Sequence, residues 1–86
     1  MDERTIQLGD IILTIEDIQV VLNDEIVCKF RLSHRGAPDG TLAEMYGEVA
    51  GGELSILCRT PLTPRRFEIL ARFLYMYERN IIRFFR

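Results

Sequence analysis

The sequence predicts a mainly β fold with a helical C-terminal end: a small antiparallel β-barrel or curved meander sheet carrying one long amphipathic helix. Three observations predict it. Residues 25–33 and 41–49 alternate apolar and polar side chains with a period of two. The pairs Gly9-Asp10 and Gly51-Gly52 interrupt apolar runs as tight turns do. From Pro64 the period lengthens to that of a helix and holds almost to the last residue. Eighty-six residues are enough for one modest core, so residues 1–86 read as a single domain, with a strand body over 1–60 and a helix over 61–86.

The first element is TIQLGDIIL, Thr5 to Leu13, a strand, a turn at Gly9-Asp10 and a returning strand. The segment Ile11 to Leu22 admits two readings. Its wealth of Ile and Val suits strands broken near Glu16-Asp17 and Asn23-Asp24. Thr14 and Asp17, however, are spaced like a helix cap, and Ile15, Ile18 and Leu22 would share a helical face. The β-branched residues favour strand. Glu25 to Ser33 then places Ile26, Cys28, Phe30 and Leu32 on one side and Lys29, Arg31 and Ser33 on the other, with Val27 as the apolar exception. HRGAPDG, His34 to Gly40, reads as a loop. Ala43, Met45, Gly47 and Val49 alternate with Leu42, Glu44, Tyr46 and Glu48, and Gly51-Gly52 turns the chain into a strand over Glu53 to Arg59 with Leu54, Ile56 and Cys58 inward. Thr63 is placed as an N-cap and Pro64 as the first helical residue.

Composition sets limits on function. Hydrophobic residues at 48% and charged residues at 28% are ordinary for a folded globular chain. No apolar run approaches the ~18 residues of a membrane span, and the start is acidic at Asp2 and Glu3 rather than basic and then apolar, so the expected location is cytoplasmic. Cys28 and Cys58 fall on inward faces and lack the close spacing of a zinc site, which reads as two reduced core thiols. The one imidazole, His34, adjoins Ser33, but successive strand side chains point to opposite faces. The acidic pairs Asp2-Glu3, Glu16-Asp17 and Asp24-Glu25 read as solvated turns or termini. No catalytic residue, metal or cofactor is expected, and the chain is read as a non-enzyme.

The segments TIQLGDIIL, YGEVAGGELSILCR and PLTPRRFEILARFLY together resemble the PilZ family, over roughly Thr5 to Tyr77. The resemblance implies a small β-barrel with a C-terminal helix, entered through a link that Leu62-Thr63-Pro64-Arg65-Arg66 matches in position. It also implies a place in cyclic di-GMP signalling in bacteria, in motility, pilus or exopolysaccharide control. The family holds that dinucleotide with a D-x-S-x-x-G motif and an upstream R-x-x-x-R. Here Thr5, Gln7 and Asp10 stand in the three defining positions, and Arg4 has no second arginine at the required spacing. Without a fixed carboxylate for the guanine edge and paired guanidiniums for the phosphates, cyclic di-GMP is not expected to bind.

Two surfaces remain as candidates. Arg65 and Arg66, with Thr63, lie at a helix start, where the macrodipole disfavours cations. A bound phosphate or cyclic dinucleotide would offset that, and so would pairing of Arg65 with Glu68 and of Arg66 with the acidic body, since residues 1–60 carry −6 and residues 61–86 carry +4. The second surface is the helix. Phe67, Leu70, Ala71, Leu74, Tyr77, Ile81 and Phe84 form one apolar stripe, widened by Ile69, Phe73 and Met76. Either the helix is deeply buried or Ile69, Phe73, Met76, Phe84 and Phe85 meet a protein partner or a second copy in a homo-oligomer. Arg72, Arg79, Arg83 and Arg86 beside Tyr75 also permit nucleic-acid binding, which the pI near 5.3 disfavours. The expected function is a regulatory or adaptor module acting by protein–protein interaction.

Overall fold

Alternation in the sequence becomes pleat. In a computed structural model, which describes residues 4–21 and 25–85 and not the side chains of residues 38 and 39, five strands form one antiparallel sheet. They are β1 (Arg4–Leu8), β2 (Ile11–Val20), β3 (Ile26–His34), β4 (Ala37–Ala50) and β5 (Glu53–Cys58), in spatial order identical to chain order. Two helices follow, α1 (Pro64–Met76) and α2 (Glu78–Phe84). Gly51 and Gly52 both have positive φ, 59° and 78°, which is the two-residue turn that twists with its strands. Gly9, at φ 64°, opens the β1–β2 turn.

Pairing register collects the inward residues into rows. Ile15, Phe30, Met45 and Cys58 lie side by side across β2 to β5, next to Leu13, Leu32 and Ala43. Phe30, Leu13, Ile15, Leu32 and Met45 are fully buried, and Leu74 of α1 and Ile81 of α2 join them in the same cluster. The helices therefore cover one face of the sheet. The opposite face carries Glu16, Lys29, Arg31, Glu44, Tyr46, Glu48, Leu57 and Arg59.

Several expectations need correction. The sheet is open, not a barrel, because the chain order runs from β1 to β5 without those two strands pairing. Its open side is occupied by the helices, and the Leu54 N–H donates to the Glu78 carboxylate at 2.9 Å in place of a further strand. The terminal helix is two helices and not one. Tyr77, at φ −101° and ψ 14°, separates them, and its N–H bonds to the Leu74 carbonyl three residues back. That tighter closure redirects the chain so that Glu78 reaches β5 and Ile81 reaches the core.

The loop expected over His34 to Gly40 shrinks to a turn at Arg35-Gly36, and Ala37 to Gly40 belong to β4. Pro38 is accommodated there because the pairing slips beside it, between Leu32 and Ser33 and between Ser33 and His34, so its missing N–H breaks no regular ladder. Of the two readings of Ile11 to Leu22, strand holds through Val20. Glu16-Asp17 is not a break but a bulge, with Asp17 at φ 52° and the register shifted before Gln19. Asp2-Glu3, Leu22, the Asn23-Asp24 break and Arg86 lie outside the described residues.

Candidate functional site

The start of α1 is built as its sequence demands. Thr63 is the N-cap: its Oγ1 accepts the Arg66 N–H at 3.2 Å and its carbonyl accepts the Phe67 N–H at 2.9 Å. Pro64 has no N–H to give. The Thr63 and Arg65 amides are left at this helix end among the described residues, so the anion-holding capacity of the terminus is partly used internally. Arg65 and Arg66 are both exposed. Neither has a carboxylate partner among the described residues, because Glu68 pairs with Arg72 at 2.8 Å instead of with Arg65. That i,i+4 choice places the two long side chains one above the other on the helix.

The broad apolar surface of the helix divides in two. Leu74 and Ile81 are fully buried, and Phe67, Leu70, Phe73, Tyr77, Phe84 and Phe85 are half-buried against the core cluster. Phe73 meets Tyr77 at a tilt of 58° with ring centroids 5.0 Å apart, Phe84 meets Phe85 edge-on at 5.7 Å, and the Arg4 guanidinium lies over Phe84. Of the five proposed interface residues, these three phenylalanines serve the fold. Ile69 and Met76 do not: they stay 56% and 69% exposed. With Arg65 and Arg72 they form an outward ridge, and Arg79 and Arg83 are exposed on α2 beyond it. The rings available for base stacking are correspondingly few, since Phe84 and Phe85 are occupied and Tyr75 is 45% exposed.

A second feature escaped sequence reasoning. On the uncovered face of the sheet a groove of about 740 Å³ runs between the β2 bulge and β5. Val27, Tyr46 and Leu57 are among its apolar lining, with Lys29, Glu48 and Arg59 beside them. Lys29 pairs with Glu44 at 3.5 Å, and the Arg59 guanidinium sits over the Tyr46 ring at 5.3 Å. The charge of Glu48, followed by burial and a hydrogen bond between the two side chains, raises the pKa of the neighbouring Glu25. Only strand register brings these residues together. In sequence, the traces of the groove are Val27, Tyr46 and Leu57, large apolar side chains on the polar sides of three strands.

Elsewhere the titratable groups stand apart. His34 is exposed, and its Nδ1 accepts the Gly36 N–H at 3.1 Å while Ser33 is buried beneath the sheet surface. Cys28 and Cys58 are free thiols. Among the described residues no three His, Cys, Asp or Glu side chains are grouped to hold a metal ion, and no helix is long and apolar enough to cross a membrane. No family model, curated protein or solved structure matches the chain.

Proposed function

We propose that this chain is a non-enzymatic regulatory or adaptor module that acts by protein–protein contact through the outward ridge of α1. The observation that carries this reading is the exposure of Ile69 and Met76 on a helix whose Phe67, Leu70, Phe73 and Leu74 are applied to the sheet. Two large apolar side chains two turns apart on one line, left uncovered by the described residues, are a small anchor of the kind that interfaces bury at their centre. The resemblance to PilZ domains, which rests on sequence alone, would place such a module in bacterial motility, pilus or exopolysaccharide control. The runner-up, a cyclic dinucleotide or phosphate site at Arg65 and Arg66, has two exposed guanidiniums in its favour, but the Arg66 amide that would support them is taken up by the Thr63 cap.

The test is site-specific. A photo-crosslinking residue is placed at Met76 and, as a control, at Ser55 on the far face, and the full chain is irradiated in cells that naturally make it. A discrete protein adduct at position 76 and none at position 55 is the expected result. Absence of any adduct at position 76 would overturn the reading.

A further inference from the structure

The adaptor reading leaves the partner's chemistry open, and the ridge itself narrows it. Arg65, Ile69, Arg72 and Met76 are spaced four, three and four residues apart, so at about 100° per residue they fall within an arc of about 60°. That is the spacing of a seam between two packed helices. This seam alternates cationic and apolar positions. All four side chains are exposed, as are Arg66, Arg79 and Arg83. Against these arginines the helices present one exposed carboxylate, Glu68, already paired with Arg72, because the Glu78 carboxylate is turned to the Leu54 N–H.

A second observation points the same way. The first turn of α1 contains two arginines and no acid, and its last turn contains no base. Both are contrary to what the helix macrodipole favours. Apart from Arg72, which Glu68 pairs, the exposed arginines of this surface carry positive charge that no carboxylate among the described residues neutralises.

Resting on the adaptor reading, we propose that the ridge receives an acidic amphipathic helix of another protein, with Asp or Glu opposite Arg65 and Arg72 and Leu or Ile opposite Ile69 and Met76. Charge complementarity decides among occupants. A second copy docked ridge to ridge would bury like charges, and Glu16 and Glu44 on its open sheet face are already paired with Arg31 and Lys29. An anionic bilayer takes helices whose apolar stripe is continuous and flanked by basic residues, whereas here the arginines interrupt the apolar line. A partner helix with the complementary alternation satisfies both kinds of position at once.

The test uses the isotopically labelled full chain and four probes: a synthetic helix alternating Glu and Leu at four- and three-residue spacing, its Lys-for-Glu counterpart, phosphatidylglycerol vesicles and a short DNA duplex. The Glu peptide is expected to shift the amide resonances of residues 65–79, and to bind at least about tenfold more weakly when salt rises from about 0.05 to about 0.3 M. The Lys peptide is expected to leave the spectrum unchanged. Arg65→Glu combined with Arg72→Gln should reduce binding of the Glu peptide by about tenfold or more. Arg65→Glu suits the helix macrodipole while Arg72→Gln gives up the exposed Glu68 pair, so an unchanged urea midpoint of the double variant is measured beside the loss to show that it does not come from unfolding. Equal binding of both peptides, no binding of the Glu peptide, or tighter binding to vesicles or duplex would overturn the proposal. The two readings fail separately. A crosslink at position 76 that survives the Arg65→Glu and Arg72→Gln changes removes the acidic helix and leaves the adaptor, whereas no crosslink removes the adaptor.

Discussion

Gly47 shows how little space separates the sheet from its own core. A Cβ built there would stand 2.1 Å from Cε2 and 2.5 Å from Cζ of Phe30, a side chain with no exposed surface. The ring lies across the backbone of β4, which no other residue type permits. Gly47→Ala is therefore expected to lower stability by about 1–3 kcal/mol, as overpacking of a filled core does. A shift of the urea midpoint with an unchanged slope would verify it, and a midpoint within error of the parent would refute the close approach. Alternation in the sequence put Gly47 on the inward face. It did not disclose that Phe30 occupies the place of the missing side chain, because that depends on the rotamer of a residue seventeen positions away. Thr63 is the opposite case. Its capping role needs only partners within four residues, and the sequence identified it correctly.

The break between α1 and α2 has its cause outside the helices. Met76, Tyr77 and Glu78 include no glycine or proline, so nothing local marks a stop. What turns the chain is a tertiary pair of demands: Ile81 to the core and Glu78 to the free Leu54 N–H of β5. The hydrogen bond is charge-assisted and closes an otherwise open sheet edge. Glu78→Ala is expected to cost about 1.5–3 kcal/mol, the range for hydrogen bonds to charged groups, and to speed hydrogen exchange at the Leu54 amide more than at amides in β2. If Leu54 exchanges no faster in the variant, the carboxylate is not what secures the edge. The same logic explains the shortened loop before β4. HRGAPDG has the composition of a loop, yet Ala37 pairs with His34 and Thr41 with Ser33, so the pairing of β3 brackets this stretch and holds it within β4.

Across the molecule, charge and burial are distributed unevenly. The sheet body holds the acidic excess, the helices hold the basic one, and the buried cluster contains a free thiol. Burial pushes the Cys28 thiol from 9.0 up to about 12. The folded chain thus keeps its proton where the unfolded chain releases it. The stability this contributes is whole below pH 9.0 and is lost as pH rises from 9.0 toward 12. Between about pH 8 and about pH 10.5 the parent should lose more stability than Cys28→Ala does, because the variant has no thiol to ionise. Equal losses in urea titrations of the two proteins would show that the thiol ionises as readily folded as unfolded.

Strand periods, both glycine turns, the N-cap and the helical stripe could be read from the amino acids alone, since each depends on side chains within a few positions of one another. The open edge, the bend at Tyr77, the Glu68–Arg72 pairing and the groove over Tyr46 and Leu57 could not. They arise where groups far apart in the chain compete for the same hydrogen bond, ion pair or patch of core. Which of Ile69, Phe73, Met76, Phe84 and Phe85 would face outward was likewise a question of packing, and the phenylalanines went to the core because their larger apolar area gains more from burial.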